Sequence, residues 1–439
     1  MSMLIRVIAV ACAMLATASA RADVQVQQLT SPAGHEFWLV EEMSIPIVAV
    51  EIQLANGSWA DPNDKIGVSR FAIGLMDEGS GDLDAVEFSN LRRDLAARFG
   101  FGVRSDSASI SARFLLETLD EGIDLLTLAM SDPRFDLDAV ERSRAQILAA
   151  IARSETSPAS IAGRAWFSRA FPDHPYGRPV QGTHETISAI TVDDLKEAHR
   201  RLLIRTDAKV VLVGAIDGEV AGELVDKLLG VLPEGDVGAV SRAKTSPEPG
   251  LFVVSEDVPQ SIALFGHAGI PWDDPDYFAA VVANRIFGSG SFGSRLTEEV
   301  RVKRGLAYSV YASNTVLDGA EIFYGRVQTE NARMAESLKV IRDQWARMAS
   351  GDATPEEVDA AKTYLTGSFP LSFDTNSKIA GYLVWMMGRG LDPDYINRRN
   401  EYIEAVDLDD VRRVSRRLYD PEALSIVVVG QPEGLEPVD

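Results

Sequence analysis

Residues 294–312, SRLTEEVRVKRGLAYSVYA, form the most informative stretch of this 439-residue sequence. Apolar side chains recur at helical spacing as far as Lys303, which predicts one helix over about 294–303. Gly305 comes just past it, where a left-handed cap is least costly for a residue without a Cβ. Residues 306–312 are rich in aromatic and branched side chains and therefore predict a strand.

Two polar side chains of this stretch can meet in space. Arg301 falls on the last turn of the predicted helix, and Tyr308 follows seven residues later at the start of the predicted strand. An arginine fork matches a carbonyl or a carboxylate, and a tyrosine hydroxyl can donate to an oxyanion as it forms. The same spacing also fits a solvated arginine near a helix C-terminus and a half-buried strand tyrosine. The rest of the sequence has to distinguish these alternatives.

Length and charge restrict the possible functions. A chain of 439 residues is too long for a single core and predicts two or more domains. Its net charge is -22 at pH 7, and no block of basic residues accompanies this charge. Nucleic acid and an anionic membrane surface are therefore not expected as partners.

The N-terminus has the pattern of a secretory signal peptide over residues 1–22. Arg6 supplies the positive start, residues 7–15 the short apolar segment, and Ala20-Arg21-Ala22 a cleavage site. Ala18-Ser19-Ala20 is an alternative cleavage site. The apolar segment is too short to span a membrane, and no later stretch of the sequence approaches the length required. The pattern predicts an exported protein, periplasmic or secreted.

Cleavage of this segment would change the chemistry of the chain. It removes Arg6 and Arg21, which takes the net charge from -22 to -24, and it removes Cys12, the single cysteine. Disulfides, thiolate metal sites and cysteine nucleophiles are then excluded. The residues before Cys12 faintly resemble a lipoprotein signal, but their apolar run is too short for one.

The two halves of the sequence repeat each other. Residues 192–203 predict a helix and 208–214 a strand, and residues 408–419 and 424–430 repeat that pair. Two equal units of this size indicate duplication and not a solenoid. Identical residues recur 216 positions apart, among them Asp193 and Asp409, Arg200 and Arg416, Arg201 and Arg417, Leu202 and Leu418, Gly214 and Gly430.

We predict a first domain over residues 23–234, a linker over 235–250 that is poor in large apolar side chains, and a second domain over 251–439. Each half runs from strands through helices to a closing helix and strand. The predicted fold class is α+β, with two homologous domains that are each a mostly antiparallel sheet with helices packed on one face.

Local patterns place further elements. They predict strands over 37–54 and 103–115, helices over 119–130, 137–152 and 278–287, a helix face formed by Phe88, Leu91, Leu95 and Phe99, and a capping box at Thr354 that begins another helix.

Two motifs carry less weight. Residues 288–293, GSGSFG, fit G-x-G-x-x-G, but a dinucleotide site needs a preceding strand, whereas a helix is predicted there. A flexible turn that enters the next helix is favoured. His174 and His184 lie ten residues apart in a Pro/Gly-rich loop, which is not the spacing of a helix-borne zinc site. Ordinary loop histidines are the favoured interpretation.

Together, three motifs resemble one family. Arg301 and Tyr308 within EEVRVKRGLAYSVY, residues 174–183 (HPYGRPVQGT), and residues 56–62 (NGSWADP) leading to Gly67 strongly resemble the pitrilysin/insulinase (inverzincin) zinc peptidases. That family includes the mitochondrial processing peptidase and its bacterial relatives. The resemblance covers essentially the whole mature chain and implies the duplicated fold.

The sequence departs from this family where active members carry H-x-x-E-H. Arg70 and Gly74 stand at the positions of the two histidines, and Ile73 stands at that of the catalytic glutamate. A guanidinium has no lone pair for zinc, glycine has no side chain, and isoleucine cannot take a proton from water. The helix expected to supply the third ligand has no carboxylate between Glu141 and Glu155. We expect no metal or cofactor in this chain and no peptide hydrolysis by it alone.

The retained pair gives the function that the resemblance implies. In heterodimeric members of the family, one chain bears zinc and the other supplies the Arg/Tyr pair. This chain resembles the second kind, a non-catalytic, substrate-binding subunit that presents Arg301 and Tyr308 to a zinc-bearing partner and its peptide substrate. One alternative is a structural or assembly subunit, similar to the core subunits of the respiratory cytochrome bc complex. A weaker alternative is a self-contained hydrolase with an unrecognised site.

Overall fold

Two β-sheets organise the chain, one in each half. The computed structural model describes residues 24–245, 247–289 and 292–435, so the signal peptide predicted for 1–22 lies outside the described residues. In the first sheet the β2–β6 pair is parallel and the other four pairs are antiparallel. Its strand order is β1-β2-β6-β3-β5-β4, with β1 Gln27–Thr30, β2 Glu36–Glu41, β3 Ile47–Leu54, β4 Arg98–Val103, β5 Ala108–Leu115 and β6 Lys209–Gly214.

The second sheet repeats this plan with five strands. Its β7–β11 pair is parallel and its other three pairs are antiparallel. The strand order is β7-β11-β8-β10-β9, with β7 Gly250–Ser255, β8 Gln260–Ala268, β9 Val310–Val316, β10 Glu321–Glu330 and β11 Ser425–Gly430. The closing strand of each half therefore lies inside its own sheet.

Helices cover both sheets. Those of the first half are α1 Val68–Ile73, α2 Ala85–Asp94, α3 Leu119–Ser131, α4 Leu137–Glu155, α5 Pro158–Ala170, α6 His184–Ala189, α7 Val192–Leu202 and α8 Gly218–Gly230. Those of the second half are α9 Tyr277–Phe287, a π-helix at Thr297–Val302, α10 Met334–Ser350, α11 Pro355–Ser368, α12 Asn376–Gly388, α13 Tyr395–Glu404 and α14 Leu408–Leu418. The predicted α+β class is confirmed. None of the helices in the described part of the chain has the length and apolar character needed to cross a membrane.

Most predicted elements are confirmed, and in the first half two boundaries are wrong. Helix α2 ends before Leu95 because Ala96 takes a left-handed backbone, with φ of 50°. Phe99 therefore lies in β4, where it pairs with Ala112. The strand predicted from 103 starts only at Ala108, because a turn closed by a hydrogen bond from residue 104 to residue 107 separates β4 from β5.

The repeated arginines hold equivalent loops in the two halves. Arg201 on α7 donates to the buried Asp61 at 2.9 Å, and Arg417 on α14 donates to Asp274 at 3.1 Å. Both acids lie in a Trp-x-Asp-Pro segment, which follows β3 in the first half and β8 in the second. Asp61 also accepts from the backbone N–H of Gly67 at 2.9 Å and so fixes the start of α1. The repetition thus has a structural cause.

Each sheet is covered on its second face by a helix from the other half. Trp166 of α5 is fully buried against the second sheet, and its indole N–H donates to the carbonyl of Ser425 at 3.3 Å. Leu383 of α12 is buried against the first sheet together with Trp38 and Val211. This exchange was not predicted from the sequence. It makes each core depend on both halves.

Glu51 lies on the first sheet's second face, beside Ala49, which packs against α12. Burial raises the pKa of the Glu51 carboxyl to about 7. Within the described residues it forms no ion pair. Between the ordinary pKa of a glutamate and about 7, the folded state keeps a proton that the unfolded state has already lost. The Glu51 carboxyl therefore lowers the free energy of unfolding as the pH rises through this range.

The substitution Glu51→Gln should therefore stabilise the protein above neutral pH. At about pH 8 the free energy of unfolding should rise by at most about 3 kcal/mol, and at about pH 4 it should change little. Urea unfolding at both pH values measures this. The exposed control Glu36→Gln on β2 should have no effect at either pH, and an equal effect of Glu51→Gln at both would contradict the assignment.

Truncation of Trp166, the buried side chain of α5, should weaken the association of the two halves. Trp166→Ala is expected to cost about 3–5 kcal/mol, as for other buried aromatic truncations. The matched control Trp345→Ala empties the core of the second half alone, since Trp345 is also fully buried there. Non-coincident unfolding of the two halves, followed by fluorescence and circular dichroism, should appear for Trp166→Ala and not for the control. Wild-type behaviour of Trp166→Ala would show that the exchange is not needed.

Candidate functional site

Arg301 is presented by a π-helix. The predicted helical segment is confirmed, but from Thr297 to Val302 its backbone is wider than an α-helix. The N–H of Lys303 donates to the carbonyl of Glu298, five residues earlier, at 2.9 Å. Single π turns inside helices are frequent at functional sites. Arg301 lies in the last part of this turn.

A buried ion-pair cluster fixes the start of the same helix. Arg295 is 6% exposed and donates to Glu357 at 2.6 and 2.7 Å and to Asp352 at 2.5 Å. Glu357 also completes the capping box with Thr354 that the sequence predicts for α11. Burial alone would raise the pKa of Glu357, but hydrogen bonds from Arg295 and Thr354 lower it overall. The π-helix is thereby attached to α11.

The chain after the π-helix does not form the predicted strand at once. Gly305 takes a left-handed backbone with φ of 60°, as predicted, and the N–H of Leu306 donates to the carbonyl of Val300 at 2.8 Å. Strand β9 begins only at Val310, so the prediction of a strand from 306 is wrong for its first four residues. The main chain at Leu306 is hydrogen-bonded to the end of the π-helix and so does not pair with a strand of the sheet. Tyr308 therefore lies in the loop before β9.

The structure brings Arg301 and Tyr308 together. The guanidinium carbon of Arg301 lies 4.9 Å from the ring centre of Tyr308 and 5.0 Å from that of Phe292. These distances are typical of cation–π contacts. Tyr308 is 84% exposed and Phe292 is 70% exposed, so the outer sides of both rings face solvent. The three side chains form an exposed aromatic clamp around one cation.

The charge of Arg301 is not neutralised. Its neighbours Lys303 and Arg304 both bind Glu299, at 2.7 and 2.5 Å. Within the described residues, Arg301 forms no ion pair with a carboxylate. In a chain of net charge -22, this half-buried guanidinium, which contacts two exposed rings, is available for a carbonyl or carboxylate from another molecule.

The sequence does not single out Phe292, because residues 288–293 predict a flexible turn. The predicted preceding helix is confirmed as α9. From it, Arg285 donates to the carbonyl of Phe292 at 2.9 Å, and its guanidinium stacks on Tyr364 at 4.0 Å. The position of Phe292 is therefore held by contacts distant in sequence. A bulky aromatic residue among glycines and serines was the one available signal.

The three residues that the resemblance places at the H-x-x-E-H positions offer no metal ligand. On α1, Arg70 is exposed, Ile73 is buried in the core of the first half, and Gly74 ends the helix. None of the three offers a lone-pair donor that zinc accepts. Across residues 24–245, 247–289 and 292–435, no three His, Cys, Asp or Glu side chains are grouped as a metal site would require. We derive no catalytic step through a metal in this chain.

The loop with His174 joins the halves. The hydroxyl of Tyr176 donates to Asp106 at 2.5 Å and accepts from the N–H of Gly319 in the second half at 2.9 Å. His174 contacts the carbonyl of Ser241 at 2.9 Å. Burial, followed by the bond to Asp106, raises the pKa of Tyr176 above its usual value, so the hydroxyl stays protonated. The loop has a structural role.

The two-sheet, duplicated fold, with Arg301 beside the exposed Tyr308, defines the class of protein as one with the zinc-peptidase fold. Residues 38–184 match the family model described as Insulinase (Peptidase family M16), and residues 189–365 match the one described as Peptidase M16 inactive domain. The chain belongs to peptidase family M16, and the resemblance to the pitrilysin/insulinase group is confirmed.

Similar proteins cover most of the chain. The non-peptidase homolog YmxG of Helicobacter pylori is 27% identical over 363 residues, which are 82% of each protein. An uncharacterized zinc protease of Streptomyces coelicolor is 26% identical over 407 residues, 89% of this chain and 86% of that protein. The crystal structure of a peptidase M16 inactive domain from Pseudomonas fluorescens has a TM-score of 0.88 at 27% identity and covers 95% of this chain and 100% of that one.

Loss of the buried arginine should destabilise the site. Arg295→Ala leaves Glu357 without its ionic partner and leaves Asp352 with Arg347 alone, and the loss of a buried partner typically costs about 3 kcal/mol or more. Lys303→Ala, which removes an exposed pair with Glu299, should cost less than about 1 kcal/mol. Urea denaturation of both variants measures the difference. Equal, small effects would show that the cluster does not anchor the π-helix.

Proposed function

We propose that this chain is the non-catalytic, substrate-binding subunit of an exported heterodimeric zinc endopeptidase. It would supply Arg301 and Tyr308 to the active site of a homologous partner chain that carries H-x-x-E-H and zinc. The observation that carries the proposal is Arg301, which forms no ion pair among the described residues and contacts the exposed Tyr308, in a chain where Arg70, Ile73 and Gly74 stand at the positions of H-x-x-E-H.

An Arg/Tyr pair of this kind serves no evident purpose within the isolated fold. Tyr308 buries little surface, and its removal would leave no cavity, since 84% of it is exposed. Arg301 would gain from an ion pair but has none among the described residues. Groups that stabilise little where they stand are those expected to act on another molecule.

The names of relatives agree with the absence of independent activity. The Helicobacter pylori relative is called a non-peptidase homolog, and the model matched by residues 189–365, which include Arg301 and Tyr308, is described as an inactive domain. Other relatives are called zinc proteases. A family that contains both kinds of chain is compatible with a division of roles between two subunits.

The chemistry would be that of an oxyanion donor and a positioning cation. The hydroxyl of Tyr308 donates a hydrogen bond to the peptide carbonyl oxygen as negative charge develops on it, and Arg301 holds the peptide backbone. Loss of one oxyanion donor typically costs about 100- to 1000-fold in rate. The net charge of -22 would favour extended basic peptides by long-range attraction.

The test is reconstitution with the H-x-x-E-H homologue encoded in the same genome. The mixture is expected to cleave unstructured peptides, and Tyr308→Phe should lower kcat by about 100-fold or more while the pair still assembles. Tyr311→Phe, three residues later on β9, is the matched control and should retain activity. Unchanged kcat for Tyr308→Phe would contradict the proposed role.

Capture experiments separate this proposal from an assembly role. Tagged chain purified from its native source should retain an H-x-x-E-H chain. Retention of membrane complex subunits without any such chain would favour the structural alternative and overturn the peptidase proposal.

A further inference from the structure

We propose that the pocket between the end of α2 and the start of β4, here called the α2–β4 pocket, binds a phosphate-type oxyanion, either free or carried by a small organic molecule. The pocket has a volume of about 350 Å³ and is lined by three arginines and three uncharged residues: Ser89, Arg92, Arg93, Ala97, Arg98 and Phe99. It lies in the first half, whereas Arg301 and Tyr308 lie in the second, so it does not depend on the peptidase role proposed above.

The turn after α2 brings the three arginines to one place. Arg92 and Arg93 are in the last turn of the helix. The left-handed backbone of Ala96 reverses the chain, and its N–H donates to the carbonyl of Arg93 at 3.0 Å. The N–H of Ala97 donates to the carbonyl of Arg92 at the same distance. Arg98, the first residue of β4, therefore follows directly beside the end of the helix.

Two of the three guanidiniums in the α2–β4 pocket are not neutralised. Arg92 binds Asp77 at 2.5 Å. Arg93 donates to the side-chain oxygen of Asn90 at 3.0 Å and, among the described residues, has no ion pair. Arg98 forms neither an ion pair nor a side-chain hydrogen bond with any residue that the structure describes. A helix C-terminus favours cations, which accounts for Arg92 and Arg93, but Arg98 lies outside the helix.

A further arginine adds positive charge at the start of β4. Arg98 is directly opposite Arg113 of β5 in the register of the sheet, and like charges in such cross-strand pairs are destabilising. Arg113 is also without an ion pair among the described residues. Asp94 does not line the pocket and, in the same part of the chain, forms no ion pair. A dianion that contacts Arg98 would therefore reduce an uncompensated repulsion, in a chain of net charge -22.

The donors and the walls of the α2–β4 pocket suit a phosphate group. Arginine is permanently charged, and its planar fork binds phosphate through two parallel N–H donors. The Ser89 hydroxyl has no hydrogen-bond partner among the described residues, so it can supply another donor. Phe99 provides an apolar wall, held with its ring centre 6.3 Å from that of Phe88 and 5.9 Å from that of Phe114. The volume lies within the range of about 300–1,000 Å³ that is usual for small-molecule sites.

Removal of the unpaired arginine should weaken anion binding. The probes are inorganic phosphate and glucose 6-phosphate, and the readout is isothermal titration calorimetry on the purified chain at constant ionic strength. Arg98→Gln is expected to raise the Kd of whichever probe binds by about tenfold or more, equivalent to about 1.4 kcal/mol. The matched control is Arg153→Gln, which removes an exposed arginine from the last turn of α4 and should bind like wild type. Tighter binding of the organic phosphate would indicate a carried group, and tighter binding of inorganic phosphate a free ion.

Two further variants separate recognition of the anion from a general effect of charge. Arg93→Gln should also raise Kd, whereas Arg98→Lys keeps the charge without the fork and should recover only part of the affinity. Far-UV circular dichroism checks that each variant is folded. The bound probe should also raise the Tm of the wild-type chain and of the Arg153→Gln control, relative to sodium chloride at equal ionic strength, and should not raise that of Arg98→Gln.

Two results would overturn the proposal. One is the absence of binding of both probes by the wild-type chain at millimolar concentration. The other is wild-type affinity in both Arg98→Gln and Arg93→Gln, since anion binding would then occur outside the α2–β4 pocket.

Discussion

The structure depends on an exchange of helices between its halves. Helix α5 of the first half closes the second sheet around Trp166, and helix α12 of the second half closes the first sheet around Leu383. Neither sheet can bury both faces without the other half. Burial of large side chains is the main stabilising term in folding, so this exchange fixes how the two duplicated units are joined. The Tyr176 bonds to Asp106 and Gly319 reinforce the same junction.

Because the shared cores hold both halves, local segments of each half can differ while the fold is kept. In the first half, Ile73 has become part of the core, and the exposed Arg70 leaves no metal ligand in place. In the second half, the ion pairs of Arg295 support a π-helix that presents Arg301. Stability comes from the shared cores, whereas the exposed clamp contributes little to it. Selection on the two can therefore act separately.

The sequence predicted those features that depend on local pattern. The capping box at Thr354, the left-handed Gly305 and the proximity of Arg301 to Tyr308 each follow from spacing within one segment, and the duplication follows from similar segments 216 residues apart. The start of β9 was misplaced because aromatic and branched residues favour a strand, whereas the helix cap and a side chain of β10 bind the main chain at Leu306. Such contacts join residues that are distant in sequence, so a short stretch of sequence does not reveal them.

Other features were missed for the same physical reason. Phe292 joins the clamp through Arg285, whose bonds depend on the packing of α9 against α11. The exchange of α5 and α12 requires knowledge of which sheet each helix covers, and an amphipathic pattern does not specify its partner. That Arg70, Ile73 and Gly74 stand at the positions of H-x-x-E-H stays a prediction from the sequence, and the structure adds where these residues lie.

The central claim is that this chain keeps the means to hold a peptide and lacks the means to cut one. The most direct measurement is made on the purified full-length protein with no partner present: metal content by mass spectrometry, together with cleavage of an unstructured peptide after incubation with zinc. The account predicts substoichiometric metal and no cleavage. One bound metal ion per chain, with peptide cleavage abolished by a chelator, would contradict it.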